Sequence, residues 1–520
     1  MISKVVIVGG GTAGWMSACY LKAAFGPEVS VTLVESKNVP TIGVGEATFS
    51  TIRHFFHYLG LREDEWMPEC SATYKLAIRF ENWREADHYF YHPFERTRVI
   101  DGFAITDWWL RLRPTPQFDQ DCFVISALCD GKCAPRFHDG RLFDQENGRP
   151  ESALRTRTTL SEQDVQFPYA YHFDATLLAK YLATYGTARG VRHVLDDVTD
   201  VALDERGWIS HVTTAEHGEV QGDLFVDCTG FRGLLLNKTL SEPFVSYQEY
   251  LPNDRAVALR VPVDIARSGI RPCTTATAQD AGWIWTIPLF GRIGTGYVYA
   301  GDYVSADEAE QTLRDFVGPA ADGLEANHNR MRIGRTRNAW VRNCVGIGLS
   351  AGFVEPLEST GIFFIQNGIE QLVKHFPDNN WNERLRVSYN KHIARMMDGI
   401  REFLALHYYA ARRDDTQYWK DAKDRALPDG LAERIEQWRL KLPDSQSVFP
   451  YYHGFEPYSY QAMLLGLGGI SLQAPAALSG IDQAAAHQEL QRIRRKRRQL
   501  VSELPTQFDY FASLRNYSPA

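Results

Sequence analysis

Three glycines near the start of the chain have the spacing of a phosphate-binding turn. Gly9, Gly11 and Gly14 read G-x-G-x-x-G, between an apolar run ending at Val8 and a stretch rich in Ala, Leu and Met. The first glycine permits a tight turn, the second lets backbone approach a pyrophosphate, and the third lets helix and strand pack closely. Thr12 and Ala13 would open the helix, whose free N–H groups face the phosphates. Glu35 lies about twenty residues further on, at the end of the next apolar run, where a carboxylate can accept hydrogen bonds from a ribose diol. That acid makes NADP the least favoured dinucleotide. The fingerprint by itself fits FAD and NAD alike.

Two further turns favour FAD, which is long and must be touched by several distant segments. Residues 42–47 read IGVGEA, placing Gly45, Glu46 and Ala47 just after the first β-α-β unit, and Asp227 opens D-C-T-G at the end of a later strand. Each turn taken singly is also an ordinary structural one. Trp283 and Trp285 stand two apart in a strand-like run, so they share one face and form a bulky wall. Such a wall can keep a substrate from a flavin, or simply pack a core. Lys75 lies inside an aromatic, apolar run, an unusual place for a residue that normally stays at the surface.

These residues need particular elements to hold them. Residues 4–8 and 29–34 are β-branched runs of the buried parallel type, flanking a helix over 15–25. Residues 40–83 mix a glycine-rich strap with helices, and 87–166 read as irregular insertions around a pocket. A helix is expected over 173–190 and strands over 191–201, 208–214 and 222–227. A second sheet is expected from 257–263, 283–288 and 292–299. Residues 344–349 return to the buried-strand pattern before a helix from about 361, and the chain is mostly helical from 377. The nucleotide-type signals are far apart, so one discontinuous domain is expected, 1–86 plus 167–370, with 87–166 plus 371–520 binding substrate.

Several segments, in order, resemble the flavin-dependent tryptophan halogenases. These are GGGTAGW at 9–15, IGVGEAT at 42–48, YKLAIRF at 74–80, W-x-W-x-I-P at 283–288, FVEPLESTGI at 353–362, and the run from His407-Tyr408 through Arg413-Asp414-Asp415-Thr416 to Trp419. The likeness runs to about residue 445 and resumes near 504–506. It implies an α/β protein with a GR2-type, Rossmann-like FAD domain, a second sheet and a mostly helical substrate part. It implies that reduced FAD, O2 and chloride or bromide give hypohalous acid, which Lys75 directs onto an indole ring by hydrogen bonding or as a haloamine. Glu358 would stabilise the ring cation and take up its proton, oriented by Ser359; a glutamate there also fits a helix cap. The N–H groups of Thr360 and Gly361 would hold the halide. Val198, Leu349 and Ile362 match flavin-lining positions and would serve equally as core. Trp283 and Trp285 would be the gate that keeps the site from acting as a monooxygenase. A separate NAD(P)H flavin reductase, a role in natural-product biosynthesis and a homodimer fit the same resemblance.

The substrate end matches less closely. His92 and Phe94 correspond to indole-contacting positions, and Tyr451 and Tyr452 to a pair that holds the amino-acid part. The family's downstream Phe-Trp clamp is absent, with Met463, Leu464 and Leu465 in a shorter segment. That departure suggests a greasier entrance and a tryptophan presented within a peptide, beside free tryptophan or another aromatic small molecule. An aromatic monooxygenase and a non-catalytic flavin binder are the competing readings.

The bulk numbers fit a soluble enzyme. Net charge is −8, from 56 Lys+Arg against 64 Asp+Glu, which argues against a nucleic-acid binder. Eight Cys lack a metal spacing; Cys122, Cys129 and Cys133, near His138, read as free thiols. No signal peptide or membrane span is evident, so a cytoplasmic protein is expected. Six basic residues in 491–498 read as the solvated face of a packed helix, or as a docking surface for an acidic partner.

Overall fold

The computed structural model describes residues 2–39, 45–144 and 169–515. They form two compact units: residues 1–72, 173–248 and 331–397 in the first, residues 73–172, 249–330 and 398–520 in the second.

The first unit is built on a six-stranded sheet in the order Arg192–Leu195, Ser30–Glu35, Lys4–Val8, Leu224–Asp227, Cys344–Gly346, Trp340–Val341. The first five strands are parallel and the last is an antiparallel edge. Val5 to Val8 are all buried, as strands covered on both faces require. The helix Thr12–Phe25 packs against Ala175–Thr187 and Gly361–Lys374. Asp174 caps the second of these by accepting from the N–H groups of Thr176 and Leu177. A three-stranded antiparallel sheet, Val198–Leu203, Ile209–Thr214 and Gly218–Gln221, lies beside the main one in the chain. The run expected as one strand over 191–201 is thus two, in different sheets.

The second unit holds a seven-stranded sheet: Asn327–Arg330, Arg255–Pro262, Arg292–Tyr299, Gly282–Leu289, Cys273–Gln279, Ala77–Glu81, Tyr89–Pro93. Only Cys273–Gln279 with Ala77–Glu81 is parallel. That pairing, with Ala77–Glu81 beside Tyr89–Pro93, draws residues 77–93 and 255–299 into one sheet, whereas the sequence reading assigned residues 87–93 to the substrate-binding part. The helix Ala306–Val317, opened by a Ser305/Glu308 capping box, covers Arg255–Pro262 and Arg292–Tyr299. A Cβ on Gly296 would fall 2.2 Å from the Trp285 ring, so only glycine lets that indole lie flat on the neighbouring strand.

The expected irregular stretch 87–166 is more ordered than its composition suggested. Within its described part, Tyr89–Pro93 is a strand, and Ile105–Leu112, Phe118–Cys122 and Ile125–Asp130 are helices. Their apolar residues are buried apart from the half-buried Leu112, while Pro114, Pro116 and Gly131 only punctuate them. The rest of that stretch lies outside the described residues. Met463, Leu464 and Leu465 are core residues of the helix Pro457–Leu467. The basic run 491–498 lies in Ala484–Glu503, where Arg492 pairs with Glu489, Arg494 with Asp121 and Lys496 with Asp144. Acids of this unit therefore engage at least three of its six basic residues.

Candidate active site

In the first unit the glycine turn has the expected shape. Gly9 adopts φ 115°, and a Cβ on Gly14 would lie 1.8 Å from the Gly9 carbonyl oxygen. Gly11 caps the helix Thr12–Phe25 with no side-chain cap bond, and among the described residues no acid lies in its first turn. The first-turn amides therefore suit a diphosphate. Thr12 is buried and its hydroxyl donates to the Ala175 carbonyl at 3.4 Å. Ala13 meets Gly348, where an added Cβ would sit 3.0 Å from its methyl. Glu35 lies against the turn, since a Cβ on Gly10 would fall 2.1 Å from its carboxyl carbon. Its Oε2 accepts from Trp15 Nε1 at 3.3 Å and meets His193 Nε2 at 2.8 Å. The fixed carboxylate leaves Oε1 for a ribose diol. Both ends of the set, amides and acid, fit an adenine dinucleotide.

The second glycine turn is described from Gly45, with φ 119°; Ile42, Gly43 and Val44 lie outside the described residues. Burial, and then the Asp174 carboxylate, push Glu46 up to about 7. Ala47 is buried beside it in sequence. Asp227 is fully buried and its carboxylate is occupied by its own loop. Oδ1 accepts from Thr229 N and Oγ1, and Oδ2 from the N–H groups of Leu235 and Leu236. It shapes the turn. Val198 and Leu349 are half-buried, and Ile362 is buried.

The segment before Gly361–Lys374 has a distinct local geometry. Glu358 closes a short 3-10 turn from Pro356 and is 1% exposed. Ser359 takes the left-handed conformation, φ 61°, its N–H bonded to the Pro356 carbonyl. Thr360 is the N-cap of the helix Gly361–Lys374, which has no side-chain cap bond and no acid in its first turn. Among the described residues the buried Thr360 hydroxyl has no hydrogen-bond partner, and a Cβ on Gly361 would meet nothing within 4 Å. An orphan hydroxyl, free amides and open space at one helix N-terminus fit a small anion.

In the second unit Lys75 ends the strand Thr73–Lys75 and is fully buried. Its Nζ lies 5.1 Å from the Phe94 ring centroid. Phe94 N donates to the Leu76 carbonyl at 2.9 Å, which ties the two segments together. His92 is buried on Tyr89–Pro93, with Phe403, Phe455 and Tyr458 about it at 6.1, 6.3 and 6.1 Å between ring centres. Tyr451 and Tyr452 are exposed. Trp283 and Trp285 are buried, their rings 6.4 Å apart at 61°. Trp285 Nε1 has no hydrogen-bond partner among the described residues.

Sequence reasoning missed Phe403, Phe455 and Tyr458 around His92. The aromatic density of residues 449–460 was the available signal. Cys122, Cys129 and Cys133 are buried free thiols that burial pushes up, Cys133 to about 11.

Comparison with known proteins agrees with this architecture. The family model described as tryptophan halogenase matches residues 4–482. The tryptophan 6-halogenase SttH of Streptomyces toxytricini is 62% identical over 512 residues, 98% of each chain. The 7-chloro-L-tryptophan 6-halogenase KtzR of Kutzneria sp. (strain 744) is 62% identical, covering 98% of this chain and 99% of its own. The solved structure of Tar14, a tryptophan C-6 flavin-dependent chlorinase from taromycin biosynthesis, superposes with a TM-score of 0.94 at 62% identity, over 99% of this chain and all of that one. On this agreement of sequence and fold along almost its whole length, the chain belongs to the tryptophan halogenase family of flavin-dependent halogenases.

Proposed function

We propose that the protein halogenates carbon 6 of the indole ring of free tryptophan or a ring-substituted tryptophan. The observation that carries this reading is Lys75, a fully buried amine at the Phe94 ring. A long, flexible, charged side chain is rarely enclosed unless it has a task there. The relatives at 62% identity support the ring position by their names, and KtzR supports a free amino acid over a peptide.

FAD belongs to the first unit, where Gly9, Gly11, Gly14 and the first-turn amides of Thr12–Phe25 hold its diphosphate and Glu35 its ribose. When bound in its reduced form, FAD supplies with O2 the oxidising equivalent that turns chloride or bromide into hypohalous acid. Thr360 and Gly361 hold the halide through the free amides and the orphan hydroxyl. Lys75 hydrogen-bonds the oxygen of the hypohalous acid. As the carbon–halogen bond forms, the oxygen–halogen bond breaks, and the departing hydroxide takes the lysine's proton to leave as water. Glu358 stabilises the ring cation and accepts the ring proton, with Ser359 fixing its backbone. Trp283 and Trp285 wall off substrate from direct oxygenation. His92, Phe94 and the rings around them clasp the indole, while Tyr451 and Tyr452 meet the amino-acid end.

A separate NAD(P)H flavin reductase provides reduced FAD. The cytoplasm suits a chain whose eight cysteines are free and buried. Among the described residues no helix is long and apolar enough to cross a membrane.

The experiment uses the purified protein with FAD, a flavin reductase, NADH, O2 and chloride or bromide. Tryptophan, 7-chlorotryptophan and a tryptophan-containing peptide are supplied in turn. A halogen mass shift on either amino acid, placed at carbon 6 by NMR, supports the reading. Turnover of the peptide alone overturns the substrate, and hydroxylation without halide overturns the reaction.

A further inference from the structure

We propose that Thr73, His172 and Thr274 form a positioning relay that fixes the strand of Lys75 against the tryptophan wall, and so keeps the oxidant coupled to the substrate. This rests on the role proposed above for Lys75.

The three residues are fully or almost fully buried. Thr73 and Lys75 are two apart on one short strand, so their side chains share a face. Thr73 stands opposite His172 in the antiparallel ladder, and Lys75 opposite Ala170. His172 Nδ1 lies 3.1 Å from Thr73 Oγ1, and its Nε2 lies 3.0 Å from Thr274 Oγ1. Thr73 Oγ1 also reaches the carbonyl of Pro288, at 2.6 Å. Pro288 ends the W-x-W-x-I-P run.

These contacts dictate where the protons are. A carbonyl only accepts, so the single proton of the Thr73 hydroxyl goes to Pro288. Nδ1 must then donate to Thr73, and Nε2, bare in the neutral ring, accepts from Thr274. Burial, and then the Lys75 charge, hold the imidazole well below its usual range, which agrees with the neutral form. The chain of hydrogen bonds therefore runs Thr274 to His172 to Thr73 to Pro288, with every polar atom in it satisfied. It locks a three-residue strand that has few ladder bonds of its own. Displacement of a catalytic amine by about 1 Å is enough to lower turnover on the order of 100-fold.

A core network with no bearing on the reaction would change stability alone. A positioning relay changes how the oxidant is shared between substrate and solvent. The test compares Thr73→Val, which keeps shape but removes the hydroxyl, with Thr73→Ser, which keeps the hydroxyl. Thr274→Val, which breaks the other end, serves where Thr73→Val does not fold. The readouts are kcat and KM for tryptophan, and hypohalous acid escaping to a small thioether scavenger per NADH consumed. The expected result is a kcat about 10- to 100-fold lower for the valine variants, KM within about threefold, more scavenger oxidised per NADH, and recovery in Thr73→Ser. Parent-like kcat and scavenger oxidation in a folded valine variant overturn the relay. A wild-type protein that halogenates no tryptophan at all overturns the proposed function instead, so the two failures are distinct.

Discussion

The amine of Lys75 lies 5.1 Å from the ring centre of Phe94, both side chains enclosed within one unit of the chain. An amine over an aromatic face is held by the ring's quadrupole, and this hold strengthens when water is excluded.

Lys75→Met should separate catalysis from folding. Methionine fills nearly the same volume and is apolar, and circular dichroism with a thermal melt checks that the variant folds. Halogenation of tryptophan should fall by about 1000-fold or more, since a lost donor at a reacting oxygen has effects of that order. NADH consumption in the presence of the reductase should continue. Mass spectrometry of product against NADH consumed gives the answer, and a Met variant with more than a tenth of the parent's activity would remove Lys75 from the mechanism.

Gly361→Ala addresses the anion site. Gly361 is the first residue of its helix and a Cβ there meets nothing within 4 Å, so the new methyl enters open space. Alanine is the better helix former by about 1 kcal/mol. Stability should therefore hold or rise slightly, while the KM for halide rises by about tenfold, more for bromide than for the smaller chloride. Steady-state assays over a chloride and a bromide series check this, and unchanged halide KM values would place the anion elsewhere.

Gly14→Ala tests the nucleotide turn. A methyl 1.8 Å from the Gly9 carbonyl oxygen cannot be accommodated without separating helix from strand. The turn that presents the first-turn amides would open, so flavin affinity should drop by at least about tenfold. Titration of FAD fluorescence quenching measures it. Retained affinity would mean that the diphosphate is held by other segments.

The parts of this site that sequence revealed are those in which one short stretch contains the whole geometry. Gly9, Gly11 and Gly14 declare themselves because the turn, the close approach and the helix N-terminus are local, and Glu35 because a strand end fixes its place. Trp283 and Trp285 share a face by strand periodicity alone. The strand Cys273–Gln279 was not legible, because C-T-T-A-T-A-Q has no large apolar residue and its short alternation rests on Thr and Ala alone. Its threonines are buried by neighbours on both sides, which only the sheet order supplies. His172 was invisible for a related reason. Its hydroxyl partners lie 99 and 102 residues away, so nothing near it marks it as more than a core histidine. The helices of residues 105–130 were hidden by the prolines and glycines between them, though their own apolar residues have helical spacing.

The buried acids of the second unit predict an unusual pH response. Asp119 is 2% exposed and burial pushes its carboxyl up to about 7, although the Tyr91 N–H donating to Oδ2 at 3.1 Å pulls the other way. A carboxyl whose folded value lies above its unfolded value binds its proton more tightly when folded. The protonated form then stabilises the fold, and that contribution is lost as pH rises from about 4 through about 7. Buried neutral histidines act in the opposite sense over part of this window, since burial lowers His54, His392 and His453 to about 4. The total curve therefore mixes both signs, and the contribution of Asp119 is read by difference. Asp119→Asn keeps an acceptor for Tyr91 and cannot ionise. Relative to the parent, the Asn variant should gain stability steadily from pH 4 to pH 7 and level off above about pH 7.5, by about 2–4 kcal/mol in all. Urea denaturation midpoints at half-unit pH steps test the slope. A difference that stays flat across this range would mean that Asp119 is ionised in the fold, and that the Tyr91 amide and its neighbours outweigh burial.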